Sequence, residues 1–253
     1  MSRVFSVVNQ KGGVGKTTTA VNLAACLASA GRTVLLIDSD PQANTTSGIG
    51  LDKTRESSIY DVLIDDKEIS EAIIRSKIDN LAVLPAHIDL AGAELELMGR
   101  MSRESVLRRA IEPIRNSYDY ILIDSPPALG LLTINSLVAA DEAIVPIQCE
   151  YYALEGVAQL LKTIDLVRKH LNPGLEIGMV IMTMYDKRVR LNQQIVDEVR
   201  SVFKDKLARR LVPRNVRIAE SPSHGLPVTL YDPRSQGAIA YRDIAQEVMK
   251  NGT

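Results

Sequence analysis

Short apolar runs without polar alternation recur along the chain at residues 2–8, 33–38, 81–84, 120–123, 143–147 and 177–183. Unbroken runs of this kind are what strands buried on both faces require. Between them, at 18–30, 105–115, 131–139, 154–170 and 235–250, the pattern changes to apolar residues that return every three or four positions. That is the spacing of a helix with a buried face. In the first of these segments Val21, Leu23, Ala24, Leu27 and Ala28 form the apolar set, and Gly31 follows as a C-terminal cap. Strand followed by helix, repeated, predicts an α/β fold: a mostly parallel twisted β-sheet with helices on both faces. In such sheets ligands bind beyond the carboxyl ends of the strands, so chemistry is sought just after each apolar run.

Nothing in the 253 residues divides the chain; no Pro-, Ser- or Gly-rich spacer and no fixed-period repeat is visible, so residues 1–253 read as a single domain. A hydrophobic fraction of 45% is ample for one large core. No apolar run approaches the ~18 residues of a membrane span, and no signal-peptide pattern opens the chain, so a cytoplasmic protein is expected. Cys26, inside a helical pattern, and Cys149, at a strand end, read as reduced core thiols. His87, His170 and His224 are too scattered for a zinc site or a catalytic triad. Tyr151, Tyr152, Met179, Met182 and Met184 read as packing residues.

The first strand ends in Asn9-Gln10-Lys11-Gly12-Gly13-Val14-Gly15-Lys16-Thr17-Thr18. Without Cβ atoms at Gly12, Gly13 and Gly15 the backbone can curl so that its N–H groups converge on phosphate oxygens. Lys16 then reaches the β- and γ-phosphates, Thr17 offers a hydroxyl to Mg²⁺, and the helix beginning near Lys16 presents its positive end. The usual glycine five residues before Gly-Lys-Thr is replaced by Gln10, and Lys11 adds a second lysine. The strand–loop–helix context predicts the P-loop NTPase fold.

Two further strand ends are acidic. Asp124 closes Tyr-Ile-Leu-Ile-Asp, the pattern of a residue that holds Mg²⁺, often through water, opposite the P-loop threonine. Asp38 and Asp40 close the second strand in Asp38-Ser39-Asp40-Pro41-Gln42. Asp40 is placed to position water beside the γ-phosphate and Asp38 to support the magnesium shell. A purely turn-forming role for this segment is the competing reading, since Asp-Pro often initiates turns.

These three motifs together resemble the deviant Walker ATPases of the ParA/MinD class. Gly130-Leu131-Leu132-Thr133, residues 148–156, Pro213-Arg214-Asn215-Val216-Arg217 and Ser221-Pro222-Ser223-His224-Gly225 narrow the resemblance to the chromosomal ParA (Soj) branch, from Val4 to about Val248. The resemblance implies ATP and Mg²⁺ as cofactors and a homodimer that sandwiches ATP. It places Lys11 across the interface on the partner's phosphates, Gly12 where that interface is tight, and Pro213 and Asn215 against adenine. The ATP-bound dimer would bind double-stranded DNA without sequence preference through Arg188 and Arg217, and hydrolysis stimulated by a ParB-like centromere-binding protein would release it. A nucleoid-associated partition ATPase is therefore expected. A MinD-like membrane regulator would need a basic amphipathic tail that is not visible, and a nitrogenase-iron-protein-like carrier would need cysteines better placed than Cys26. A replication-regulating switch acting through protein partners remains open.

The formal net charge of −1 does not suggest a nucleic-acid binder, but its distribution does. Residues 186–217 carry ten Lys or Arg against four acids, a surplus of six, which leaves the remainder of the chain at −7. One basic face on an acidic body favours phosphate backbones without reading sequence. Arg200 and Lys204 have a rival explanation as the wet side of a helix whose buried side is Ile195, Val199, Val202 and Phe203.

Overall fold

The computed structural model describes residues 2–54, 57–150 and 153–251. Seven strands form one sheet: β1 (Arg3–Val7), β2 (Val34–Asp38), β3 (Ile74–Arg75), β4 (Leu81–Leu84), β5 (Tyr120–Asp124), β6 (Glu142–Gln148) and β7 (Glu176–Thr183). Their order is β3-β4-β2-β5-β1-β6-β7, and every pairing is parallel except that of the two-residue β3 with β4. The five predicted helical stretches correspond to α1 (Lys16–Ser29), α6 (Val106–Ile111), α7 (Leu131–Ala139), α8 (Ala153–His170) and α12 (Gln236–Lys250). The others are α2 (Asn44–Gly48), α3 (Ile59–Ile64), α4 (Ile69–Ala72), α5 (Leu90–Leu97), α9 (Arg190–Phe203), α10 (Val216–Glu220) and α11 (Val228–Tyr231).

Alternate residues of the strands supply two separate cores. Phe5, Val7, Val34, Leu36 and Leu122 pack with α1 and α12 on one face. Val4, Leu35, Ile37, Ile121 and Ile123 pack on the other with α3 and α5 to α9. This two-sided burial explains why the strands read as unbroken apolar runs. Helix α1 ends as Gly31 predicts: with φ +80°, its N–H reaches Ala28 O at 2.9 Å and the next N–H, of Arg32, reaches Leu27 O at 3.2 Å. Cys26 and Cys149 are buried free thiols, as their apolar settings suggest.

Two expectations need correction. The stretch 105–115 is not one helix: α6 spans only six residues between 3₁₀ turns at Arg103–Ser105 and Glu112–Ser117, because Pro113 cannot donate to the α-helical ladder. On α9, Val202 is 56% exposed; Val196 takes its place on the buried side with Ile195, Val199 and Phe203.

Candidate nucleotide site and adjoining basic cleft

The loop between β1 and α1 is pinned at both ends. Asn9 donates from its side-chain amide to the Pro146 carbonyl at 2.7 Å and accepts the Lys11 N–H at 3.0 Å. The Thr183 hydroxyl, at the end of β7, donates to the Val14 carbonyl at 2.8 Å. Gly13 and Gly15 have φ of +73° and +93°, conformations that a side chain would strain. Gly12 differs: its φ is not in that region, and a Cβ there would meet nothing within 4 Å among the described residues. Nothing among the described residues of the isolated chain therefore excludes a side chain at position 12.

Lys16 is buried, and its Nζ donates to the Lys11 carbonyl at 3.1 Å, so the ammonium sits inside the loop's own curl. Burial lowers its pKa, with Asp124 and Asp40 acting in the opposite direction. Asp38 and Asp124 occupy facing register positions at the ends of β2 and β5. Both are fully buried. Asp124 Oδ2 accepts hydrogen bonds from Thr17 at 2.8 Å and from Thr45 at 2.7 Å. Its Oδ1 is buried with no hydrogen-bond partner among the described residues. Burial, then the proximity of Asp38, pushes the Asp124 carboxyl up to about 7, and burial pushes Asp38 up to about 6.

A buried carboxylate with one orphaned oxygen, beside a second carboxylate, is short of a cation. Mg²⁺ fits that donor set. It is a hard ion that takes one or two protein oxygens and completes its shell with water and phosphate. Thr17 and Asp124 would hold it. Asp38 already has donors on both oxygens: Thr46 N–H at 2.8 Å and hydroxyl at 2.7 Å on Oδ2, and Asp40 N–H at 3.2 Å on Oδ1. Asp38 is thus fastened to its own chain through both oxygens and would support the magnesium shell from behind Asp124 and Thr17. The Asp40 carboxylate, nearly buried, accepts from the Gln42 N–H at 2.9 Å.

Position in the sequence did not reveal Thr45, Thr46, Thr183 or Glu150 as partners of the site. Thr45 and Thr46 follow Asp40 by a few residues in a stretch without clear period, and Thr183 merely closes an apolar strand. Glu150 stands 139 residues from Lys11, whose ammonium it meets at 2.5 Å.

Pro213 bridges the backbone beyond β7 at Tyr185, and Asn215 caps α10 by accepting the Arg217 N–H at 2.8 Å. Thr18 lines a small cleft of about 270 Å³ with Asn44, Ser47 and Ser221. Arg188, highly exposed, forms an ion pair with Asp186 at 2.7 Å. Arg217 pairs with Glu220 at 2.9 Å and Asp232 at 3.4 Å. A cleft of about 540 Å³ beside Pro213 is lined by five cations, Lys187, Arg188, Arg209, Arg210 and Arg214, and one acid, Asp186. Arg200 pairs with Asp197 on its own helix, and both Arg200 and Lys204 line a second cleft that shares Arg209 with this one. Tyr151 and Tyr152 fall outside the described residues. His87 pairs with Asp89 and His224 stacks on Tyr231, while among the described residues no cluster of three or more His, Cys, Asp or Glu forms a metal cage.

Fold and site together define a P-loop nucleotide-binding domain with a second lysine at the mouth of its loop. The chain matches the profile of the AAA domain over residues 2–177. It is 54% identical to the sporulation initiation inhibitor protein Soj of Bacillus subtilis, over all of both chains. It is 50% identical to the chromosome partitioning protein ParA of Myxococcus xanthus, covering all of this chain and 90% of that one. A solved structure of cobyrinic acid a,c-diamide synthase from Mycobacterium smegmatis, with bound ADP and magnesium, superimposes with a TM-score of 0.88 at 39% identity, covering 100% of this chain and 96% of that one. The chain belongs to the Soj/ParA family of chromosome-partitioning ATPases.

Proposed function

We propose that this protein is a DNA-partitioning switch: Mg-ATP drives two chains into a sandwich dimer, the dimer binds double-stranded DNA without sequence preference, and ATP hydrolysis releases it. One observation carries the reading. The end of β7 joins the two halves of the switch, with Thr183 clamped on the P-loop and Tyr185 to Arg188, two to five residues on, lining the basic cleft. A change at the phosphates is then felt where DNA phosphates would sit.

Lys16 exchanges its bond to the Lys11 carbonyl for β- and γ-phosphate oxygens, and the N–H groups of Gly12, Gly13, Val14, Gly15, Lys16, Thr17 and Thr18 cradle the phosphates. Thr17 and Asp124 hold Mg²⁺, which when bound offsets negative charge on the phosphate oxygens. Asp40 orients the water that attacks the γ-phosphorus, and the bond to the bridging oxygen breaks to give ADP and phosphate. Lys11 leaves Glu150 for the phosphates of the partner subunit. Pro213 and Asn215 form the wall for adenine. Arg188 and Arg217, with the cations of the cleft, contact DNA phosphates. A ParB-like centromere-binding protein stimulates hydrolysis, and the protein associates with the nucleoid.

The test is binding to random-sequence duplex DNA in Mg-ATP and in Mg-ADP across a salt series, for wild type and Asp40→Ala. Binding confined to ATP, prolonged by Asp40→Ala and weakened steeply by salt, supports the reading. Equal binding in both nucleotides, or none in either, overturns it.

A further inference from the structure

Helix α5 carries an apolar stripe on its outer side as well as its inner one. Leu90, Ala93 and Leu97 are buried in the core on the side where α5 packs with α3 and α7, as an amphipathic helix requires. On the opposite side Ile88 is 59% exposed, Leu95 71%, Met98 53% and, just beyond the helix, Met101 92%. Ile88 lies on the turn that runs into the helix, with the Ala91 N–H bonded to its carbonyl, and Met98 ends it with helical backbone. At about 100° per residue, Ile88, Ala91, Leu95 and Met98 fall within roughly 80° of one another and extend over about 15 Å. Scattered exposed apolar residues need no explanation, but a continuous stripe of this length does.

Its borders are acidic. On the same wheel Glu94 lies along one flank of the stripe, and Asp89 and Glu96 lie along the other. The surrounding stretch of sequence is acidic too: residues 61–104 hold ten Asp or Glu and five Lys or Arg. The nearest cations are engaged, Arg100 with Asp66 and the Ile64 carbonyl, and Arg103 with Glu104 and the Met98 carbonyl. The face is also wired to the nucleotide side of the sheet, because Glu94 accepts the Leu132 N–H at 3.2 Å and packs on Gly130 in the loop that follows Asp124.

We infer that the outer face of α5 is a docking surface for a basic amphipathic segment of a partner protein. Apolar side chains of that segment cover Ile88, Leu95, Met98 and Met101, while its lysines or arginines meet Asp89, Glu94 and Glu96. Charge selects the occupant: the acidic borders favour a basic segment, the same face of a second copy would set acid against acid, and an anionic membrane would be repelled. The inference does not depend on DNA binding or on dimerisation, since none of the side chains it uses is among those assigned to either.

The test uses the full-length protein and a fluorescein-labelled amphipathic peptide of leucine and lysine about 15 residues long, matched to the stripe, with a leucine–glutamate peptide as control. Fluorescence anisotropy should show saturable binding of the basic peptide. The double variant Leu95→Ser, Met98→Ser should weaken it about tenfold or more through lost apolar burial, and Glu96→Lys should weaken it independently. Basal ATP turnover should be unchanged in both variants, because neither touches the nucleotide residues. Equal binding of the acidic peptide, or basic-peptide binding indifferent to the serine variant, overturns the inference. So does loss of self-association in the serine variant by sedimentation, which would make this an interface between copies, or wild-type binding to anionic phosphatidylglycerol vesicles that the serine variant loses.

Discussion

The ammonium of Lys11 lies 2.5 Å from the carboxylate of Glu150, with each side chain about 40% exposed. Within one chain, the second lysine of the loop is therefore paired with an acid. To act on a partner's phosphates it must leave that acid, and an exposed ion pair is worth only ~0–1 kcal/mol, so the restraint is weak. Glu150→Gln should release Lys11 and strengthen ATP-dependent dimerisation by up to about fivefold. Sedimentation in Mg-ATP measures this; an unchanged or weaker dimer would show that Glu150 does not compete for Lys11.

Gly12 has open space around it and an ordinary φ. Gly12→Val should leave the melting temperature within about 2 °C of wild type, since it clashes with nothing among the described residues of its own chain. It should nevertheless abolish ATP-dependent dimerisation. A large loss of thermal stability would show instead that the side chain disturbs the fold of its own chain.

The buried carboxyl of Asp124 is raised from 3.8 to about 7, so the metal-free fold favours its protonated form. At low pH the group is protonated in both the folded and the unfolded chain. As pH rises from 3.8 the unfolded carboxyl ionises first, so stability falls until the folded carboxyl ionises at about 7, and is then level. Asp38, raised to about 6, acts in the same direction over a window that closes earlier. Differential scanning calorimetry without Mg²⁺ should therefore give a higher melting temperature near pH 5 than near pH 8, and Asp124→Asn should reduce that difference. With Mg²⁺ and nucleotide the dependence should reverse, because protons then compete with the metal for the same oxygens.

Arg188 shares its charge with Asp186, whose carboxyl is held down at about 2 chiefly by hydrogen bonds from the Arg188 side chain and N–H. Asp186→Asn keeps an acceptor for the Arg188 N–H while removing the competing charge. Its DNA affinity in Mg-ATP should rise by up to about fivefold. Arg188→Glu should lower affinity and reduce the slope of log affinity against log salt by about one phosphate contact. Affinity unmoved by either substitution would exclude this arginine from the DNA surface.

Much of this protein was legible because its signals are local. The run Gly12 to Thr18 needs no partner to be recognised, since its missing Cβ atoms are covalent facts and the strand before it and the helix after it are read from neighbouring residues. The strands announced themselves because burial on both faces leaves few polar positions in them. Asp38 and Asp124 were visible as strand ends, and the basic surplus of 186–217 was a matter of counting.

Other features depended on which distant segments the fold brings together. Thr45 reaches Asp124 across 79 residues, and Glu150 reaches Lys11 across 139. Gly50 and Gly225, at φ +81° and +61°, meet so closely that a Cβ on Gly225 would lie 2.7 Å from the Gly50 Cα. The sequence by itself determined the sheet, the phosphate loop and the sign of charge along the chain, because periodicity and backbone freedom are properties of neighbouring residues. Only the tertiary structure decided which acid each cation meets, which carboxylate oxygen is left without a donor, and which apolar face of α5 stays outside. Those depend on strand order and helix packing, which bring together residues that no local pattern connects.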